Sequence, residues 1–328
     1  MTDTYTLDDR RYVTRRFAPG DLAALVTLFN AAPETARYAD EVSREALEAQ
    51  LTWPGHSPER DRWVVADRAA PERLLGYSSV YKSPTTPRAD LLGVTHPAAR
   101  GNGIGSALLR LALMDAVALG ATDAALYVND LDVPVAAWAQ RRGFASVGAF
   151  TALAADGGRA FPAPIWPAGV TIRAWRDAGD IATLVEASNR CYAGLWGHNV
   201  TTADEWSRWL PEMDTRGIFF LYSGQGDLIG TVRASQQERD ARAVGVVDAP
   251  GVIAEARGDG LYRPLLLHAI AWLAAQGPAE IRVESWGDAP AVMAEYQALG
   301  FSVTRRETLF RRALTPSDLT SVTRDYTF

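Results

Sequence analysis

The sequence predicts two mixed α/β domains in tandem, and three observations carry that prediction. The chain has 328 residues, which is enough for two domains that each bury a core. It contains an internal repeat. Within each copy, strands followed by crossover helices imply that part of the sheet is parallel.

The two copies of the repeat are related by a constant offset. Arg100 and Arg257 lie 157 positions apart, and so do Gly143 and Gly300. The first pair opens the matching segments "RGNG" and "RGDG", and the second pair opens "GF" in both copies. A fixed offset over this distance indicates a tandem duplication in which both copies keep the same length from the glycine loop to the Gly-Phe.

The ends of the repeat give the domain boundaries. The segment that begins at Val13 matches the segment that begins at Val170. We therefore predict one domain over residues 1–155 and a second over residues 170–328. Residues 156–169 between them are rich in glycine and proline, which is typical of a linker.

Composition and hydrophobic periodicity predict the elements of the first copy in chain order. The predicted strands are "RYVTRRF", "RWVVAD", "LLGYSSVYKS", "ADLLGVT", "ATDAALYV" and "FASVGAFTALA". The predicted helices are "PGDLAALVTLFN", the segment from the glycine loop to about Leu119, and "VPVAAWAQRRG". Asp21, Gly120 and Pro134 stand where helix ends favour a carboxylate, a glycine and a proline.

Charge and composition narrow the classes of function. The formal net charge is −6, which argues against a nucleic-acid partner because phosphate binding needs a clustered cationic surface. No apolar run is long enough for a membrane span and the first residues lack a signal-peptide core, so we expect a cytoplasmic protein without a membrane partner. The single cysteine, Cys191, and four histidines exclude a cysteine-rich zinc site; we expect no metal and a buried thiol.

The stretch "ARGNGIGSALL", residues 99–109, places three glycines directly before an apolar helix. Unpaired N–H groups at a helix start attract an anion, and Gly101, Gly103 and Gly105 would let a phosphate approach closely. Alternatively, these glycines only form a tight turn. A dinucleotide fingerprint needs an acidic residue where Asn129 ends the next strand, and a Walker loop needs a lysine, so both families are excluded.

The loop resembles that of the GNAT superfamily of N-acetyltransferases, whose motif is Gln/Arg-x-x-Gly-x-Gly/Ala at a helix start. Arg100, Gly103 and Gly105 match it, after "VTHP" and before Asn129 and a helix that ends in "RRGF". The resemblance covers most of residues 12–152, and the repeat extends it to about residue 314. It implies two tandem GNAT-like domains, each a mixed, mostly antiparallel sheet flanked by helices.

The resemblance also implies acetyl-CoA as the cofactor. Its diphosphate would bind the backbone N–H groups of the glycine loop, namely Arg100, Gly101, Asn102, Gly103, Ile104, Gly105 and Ser106. Gly93, Val94 and Thr95, at the end of the preceding strand, would pair through their backbone with the pantetheine arm where that strand splays from its neighbour. Asn129 would face the cofactor, or would serve only as a turn residue.

The two copies differ at positions that matter for this chemistry. The second copy has Tyr262 in place of Gly105 and carries Pro264 in the first turn of the helix. It keeps a tyrosine that the family often uses as an acid, Tyr296, where the first copy has Ala139. We therefore place acetyl-CoA in the first copy. Tyr296 is either the catalytic acid or an aromatic residue of the core.

Asp90 is the candidate base that would deprotonate the amine before it attacks the thioester directly. Strand alternation, however, puts Ala89 and Leu91 on the face of Gly93, so Asp90 needs a bulge, or a water must relay the proton instead. His96, just before a proline, is expected to be structural.

In the second copy, Trp206 and Trp209 share one face of a helix and form either part of the core or an aromatic wall for the acceptor. Asp204 and Glu205 beside them would attract a cationic amine or only stabilise the helix start.

The predicted function is an acetyl-CoA-dependent N-acetyltransferase that acts on the amine of a small molecule, as a monomer or homodimer. The main alternative is an acyl-CoA-binding sensor or scaffold with little or no catalysis. A third possibility is acetylation of a protein Nα or lysine amine, for which the sequence shows no peptide groove. The tail over residues 315–328 has no periodic pattern that would give it a role.

Overall fold

The computed structural model describes residues 7–32, 42–51, 57–83, 86–178, 180–239 and 242–315. Nearly all of the C-terminal tail, residues 316–328, lies outside the described residues. Within the described ranges, no helix has the length and apolar character that a membrane span requires.

The chain packs as two units. Unit 1 takes in the described parts of Met1–Val147 and Thr308–Phe328, and unit 2 takes in those of Gly148–Glu307. The predicted domains follow the repeat instead. The two divisions differ because the strands Ala145–Asp156 and Ser302–Ala313 each contribute residues to both units.

Unit 1 combines a mixed sheet with helices. Its strands are β1 (Tyr12–Arg16), β2 (Arg62–Asp67), β3 (Leu74–Tyr81), β4 (Arg88–Thr95), β5 (Asp123–Asn129), the start of β6 (Ala145–Asp156) and the end of β12 (Ser302–Ala313). Its helices are α1 (Leu22–Asn30), α2 (Arg44–Leu51), α3 (Pro58–Asp61), α4 (Ile104–Ala118) and α5 (Val133–Gln140). Neighbouring strands are antiparallel from β1 to β4, whereas β5 is parallel to β4 because α4 crosses over between them.

The two faces of β4 pack against different helices of unit 1. Leu109 of α4 shares a buried cluster with Leu91, and Leu25 of α1 shares another with Val94. Since side chains alternate along a strand, the odd-numbered residues of β4 lie on the α4 face and the even-numbered residues on the α1 face. This alternation decides which residues of β4 can share a site.

Unit 2 repeats this arrangement. Its strands are the rest of β6, β7 (Thr171–Ala174), β8 (Ile218–Tyr222), β9 (Leu228–Arg239), β10 (Arg242–Val252), β11 (Glu280–Trp286) and the start of β12. Its helices are α6 (Trp175–Ala178), α7 (Ile181–Cys191), α8 (Ala203–Trp209), α9 (Tyr262–Ala274) and α10 (Pro290–Ala298). β10 and β11 are parallel and the other pairings from β7 to β11 are antiparallel, as is that of β11 with β6. The predicted fold class is confirmed.

The predicted helix ends also agree with the structure. α4 ends at Ala118, and Gly120 follows with φ +76°. β6 ends at Asp156, and residues 157–170 contain no helix or strand. The elements predicted for the first copy do not include β12. The end of this strand nevertheless belongs to unit 1.

Candidate functional site

The glycine loop turns the chain sharply between the end of β4 and the start of α4. Gly101 has φ +80° and Gly103, the residue that caps α4, has φ +84°. Both values lie in the left-handed region, which side chains with a Cβ rarely adopt. A Cβ added to Gly101 would have no neighbour within 4 Å, so the space beside the loop is open.

Five consecutive backbone N–H groups of this loop, those of residues 101–105, meet no hydrogen-bond acceptor in the part of the chain that the structure describes. The next two amides, of Ser106 and Ala107, turn back to the Gly103 oxygen at 3.1 and 3.0 Å. The partial positive charge at the start of α4 acts in the same place. Such an arrangement of main-chain donors at a helix start is typical of anion sites.

Two side chains hold the loop in this shape. Asn102 Nδ2 donates to the oxygens of Ala99 and Arg100 at 3.1 and 3.2 Å, and Arg100 Nε donates to the Thr95 oxygen at 3.3 Å. These side chains bond to the protein's own backbone. The predicted backbone contact of Arg100 is not available, because its amide donates to the Pro97 oxygen at 3.3 Å. The same holds for Ser106, whose amide donates to the Gly103 oxygen, whereas the Asn102 amide has no acceptor among the described residues.

The first turn of α4 is anchored on its buried side. Ile104 is buried and anchors the helix in the core. A Cβ on Gly105 would be 3.5 Å from Thr95 Oγ1, which is ordinary van der Waals contact, so packing alone does not require glycine there. Ser106 Oγ accepts a 2.6 Å hydrogen bond from Arg142 Nη2, a cation that the sequence gave no reason to select.

The parallel strands β4 and β5 separate beside the loop. Their pairing ends at Leu91 and Leu126, while β4 continues to Thr95 and β5 to Asn129. Backbone groups along the last part of β4 therefore face an opening on the β5 side, as the expected splay requires.

Of the three predicted backbone contacts of β4, strand alternation leaves two that face the opening. The His96 amide donates to the Leu75 oxygen at 2.9 Å, so the backbone of residue 96, and with it that of Val94, faces β3. The backbone groups of Gly93 and Thr95 then face the opening. Val94 instead has its side chain in the core and its main chain in the β3 ladder.

Asn129 and His96 both take part in turns. Asn129 Oδ1 accepts from the Leu131 amide at 2.9 Å, and His96 Nδ1 accepts from the Ala98 amide at 3.2 Å. His96 thus has a structural role, as expected. The turn role of Asn129 uses its side-chain oxygen, and its contact with a cofactor stays a prediction.

Asp90 does not lie on the face of β4 that Gly93 occupies. Its register with Tyr81 of β3 and Ala125 of β5 is regular, so β4 has no bulge that would turn the side chain around. The carboxylate forms an ion pair with Arg88, with 2.9 Å between Oδ1 and Nε. The even-numbered position puts it on the α1 face.

Tyr296 belongs to unit 2, whereas Asp90 belongs to unit 1. The Tyr296 ring is fully buried, and its hydroxyl donates to the Glu284 oxygen at 3.1 Å and lies 2.8 Å from the Tyr262 hydroxyl. Burial raises the pKa of Tyr296 above its ordinary value. Its hydroxyl is thus part of a satisfied internal network.

Cys191 is fully buried, and burial raises the pKa of its thiol to about 12. A thiol that stays protonated is a poor nucleophile, so the expectation of a buried apolar cysteine is confirmed. Among the described residues, no group of three or more His, Cys, Asp and Glu side chains is arranged to hold a metal ion.

Both copies of the repeat match one family. The model of the acetyltransferase (GNAT) family matches residues 23–144 and 181–301, together well over half of the chain. The chain belongs to the acetyltransferase (GNAT) family. Membership agrees with the resemblance inferred from the glycine loop, and it makes this protein an N-acetyltransferase by family.

Curated relatives of this GNAT protein match along most of their length. A mycothiol acetyltransferase of Thermobispora bispora is 29% identical over 303 residues, which cover 90% of this chain and 98% of that protein. A mycothiol acetyltransferase of Sanguibacter keddieii is 31% identical over 265 residues, which cover 77% and 82%.

Solved structures show the same tandem GNAT fold. A GCN5-related N-acetyltransferase from Sphaerobacter thermophilus has a TM-score of 0.76 at 21% identity and covers 95% of this chain and 98% of its own. A tandem GNAT protein from the clavulanic acid biosynthesis pathway has a TM-score of 0.70 at 20% identity, with coverages of 93% and 99%. These likenesses show the fold.

The second GNAT copy keeps the glycine conformations of the loop but differs in the first turn of the helix that follows. Gly258 and Gly260 keep positive φ values of +99° and +75°. Tyr262, however, sends its side chain to the Tyr296 hydroxyl, where the first copy has no side chain at all. Pro264 in the first turn of α9 has no N–H to donate.

Proposed function

We propose that this GNAT protein transfers an acetyl group from acetyl-CoA to the amine of a small molecule, and that unit 1 binds the acetyl-CoA. The observation that carries the proposal is the run of five backbone N–H groups at the start of α4 that have no acceptor among the described residues. Family membership supports acetyl transfer. The name of the mycothiol acetyltransferases supports a small-molecule acceptor.

The residues of unit 1 fit this cofactor. The amides of residues 101–105 would hold the diphosphate, and open space beside Gly101 leaves room for it. The backbones of Gly93 and Thr95, on the open side of β4, would pair with the pantetheine arm. Arg142, bonded to Ser106, adds positive charge at the same helix start. When bound, acetyl-CoA supplies an activated acetyl thioester.

The main catalytic role that we assign to this chain is to position the two reactants. An N–H group of β4 that faces the opening would donate to a carbonyl oxygen held there and polarise it. Asp90 is held by Arg88 on the other face of β4, so we propose that water takes the proton of the acceptor ammonium. Orientation of two reactants in one site supplies much of the rate. Asp90 and Tyr296 stay predictions as proton-transfer residues.

One observation favours the alternative of a binding protein without turnover. Asp90 is ion-paired and the Tyr296 hydroxyl is hydrogen-bonded internally, so both candidate proton-transfer groups already have protein partners. A GNAT fold with a working anion loop and no such group would bind acetyl-CoA and release it unchanged. The binding protein would use the same cofactor site as the acetyltransferase and would differ from it only in lacking the reaction.

Release of free CoA tests the choice between the two functions. Purified protein is incubated with acetyl-CoA and a panel of polyamines, amino acids, aminoglycosides and amino sugars. We expect CoA release with at least one amine and loss of that release in Gly103→Val. Tight acetyl-CoA binding with no release on any amine would favour the binding protein. A cytoplasmic location and a monomeric or homodimeric state stay predictions.

A further inference from the structure

Unit 2 contains a cavity of about 250 Å³ that the glycine loops do not line. It lies among the end of α7, α8 and β9. Three aromatic side chains and three polar ones account for most of its wall, namely Tyr192, Trp206, Trp209, Ser188, His198 and Arg233. The volume lies slightly below the roughly 300 to 1,000 Å³ of most small-molecule pockets, so the cavity suits a compact ligand, and its polar groups are few.

The aromatic wall is rigid. Trp206 is buried and meets Trp209 edge to face, with 5.3 Å between ring centroids and 82° between ring planes. Trp206 Nε1 donates to Thr201 Oγ1 at 3.0 Å, which fixes the ring in the wall. Trp209 is 37% exposed, so part of its surface is accessible to a ligand. Such a wall favours a flat ring.

Two polar atoms of the wall have no hydrogen-bond partner in the described ranges of the chain. Ser188 Oγ and His198 Nε2 are buried, and within the described part of the chain neither makes a hydrogen bond. A buried polar group without a partner destabilises the fold, so such groups are rare unless a bound molecule or water satisfies them. Burial also lowers the pKa of His198, so its ring is neutral at neutral pH.

Arg233 supplies the charge of the cavity. Its Nε and Nη2 donate to Asp248 of β10, and its guanidinium carbon lies 5.0 Å from the Trp206 ring centroid. Its Nη1 has no acceptor among the described residues. A guanidinium carries five N–H donors in a fixed fork, so it can serve Asp248 and a second carboxylate together. The Asp248 pair holds the fork in place for that second partner.

From these groups we infer that the cavity of unit 2 binds a small molecule that joins a flat ring to a carboxylate. The ring lies against Trp206 and Trp209. The carboxylate accepts from Arg233 and from the Ser188 hydroxyl, and His198 Nε2 gains a partner in the same ligand. A cationic amine would instead face N–H donors. This site goes beyond the proposed function, because it needs neither acetyl-CoA nor the glycine loop of unit 1.

Calorimetry on the full chain tests the inference with benzoate, benzylamine and acetate as probes. We expect benzoate to bind at least tenfold more tightly than benzylamine or acetate, since only benzoate combines the ring with the carboxylate. No heat with benzoate, or equal affinity for benzylamine, would overturn the assignment.

Variants of the two unpartnered residues separate binding from stability. Ser188→Ala and His198→Phe remove polar atoms that have no protein partner, so we expect an unchanged or higher melting temperature and at least fivefold weaker benzoate binding. A fall in melting temperature with unchanged binding would show that both groups are structural and would refute the site.

Two tryptophans of equal exposure provide a matched control. Trp209 and Trp286 are each 37% exposed and both belong to unit 2, but only Trp209 lines the cavity. We expect Trp209→Leu to abolish benzoate binding and Trp286→Leu to leave it unchanged; the reverse pattern would contradict the inference. Acetyl-CoA binding in these variants, and benzoate binding in Gly103→Val, show separately whether the cofactor proposal holds.

Discussion

Replacing Gly103 with valine tests the cofactor site at its most sensitive position. Gly103 caps α4 with φ +84°, and its oxygen receives the amides of Ser106 and Ala107. Valine cannot adopt that φ without strain, because its Cβ meets the following carbonyl oxygen. We expect the loop to relax toward negative φ and to change the directions of the neighbouring amides among residues 101–105.

The size of the effect follows from these contacts. A side chain with a Cβ in the left-handed region costs about 1 to 2 kcal/mol, which we expect as the loss in the free energy of unfolding. A hydrogen bond to a charged group contributes about 1.5 to 3 kcal/mol. Losing one such bond to the diphosphate corresponds to a rise in Kd of about 10- to 150-fold, since 1.4 kcal/mol is a factor of ten.

Titration calorimetry with CoA measures this Kd, and thermal unfolding measures the strain. Gly260→Val is the matched control, because Gly260 occupies the same place in the second loop with φ +75°. We expect similar strain in both variants and weaker CoA binding only in Gly103→Val. Unchanged CoA affinity in Gly103→Val, or a loss confined to Gly260→Val, would refute the assignment of the cofactor to unit 1.

Three further predictions concern single side chains. Cys191, whose pKa burial raises to about 12, should resist iodoacetamide at pH 8 until the protein is unfolded, as mass spectrometry would show. Burial alone would raise the pKa of Asp21, but hydrogen bonds from Arg15 and a backbone amide lower it overall. The stability that Asp21 contributes is therefore present above its ordinary pKa and is lost as pH falls below about 4, and urea unfolding of Asp21→Asn should show a shallower acid limb. Asp90→Asn should change kcat by less than about threefold with the best amine, because Arg88 holds the carboxylate on the other face of β4.

Each of these predictions has a clear contrary result. Rapid alkylation of the folded protein would show that the thiol is accessible and ionises readily. Equal acid limbs for wild type and Asp21→Asn would mean that the ion pair contributes nothing to the pH dependence. A fall in kcat of about 100-fold in Asp90→Asn, with a lost basic limb in the pH profile, would restore Asp90 as the general base.

The glycine loop could be predicted because its chemistry depends on consecutive residues. The φ values of Gly101 and Gly103 and the start of α4 follow from local sequence alone. The end of α4 near Gly120 is equally local. Such features can be predicted without knowing which strands pair. They were sufficient to indicate the family and to place the loop at the start of a helix.

Long-range features could not be read from the sequence. Arg142 bonds Ser106 across 36 residues, and Arg233 reaches Asp248 through strand register. The helical spacing of Trp206 and Trp209 predicted a shared aromatic face. Nothing in the sequence indicated that Arg233 or Ser188 would line the same cavity. The observed register of β4 was likewise needed to show that the backbone of Val94 faces β3.

The division of β12 has a consequence for biosynthesis. Unit 2 is inserted within the sequence of unit 1, so Phe310, which belongs to the unit 1 core, is made after the whole of unit 2. Translation of the roughly 160 intervening residues takes on the order of 10 to 30 s at about 5 to 20 residues per second. During that interval β5 lacks β12, the strand that pairs with its second edge. The unit that we assign to acetyl-CoA is thus begun before unit 2 and completed after it.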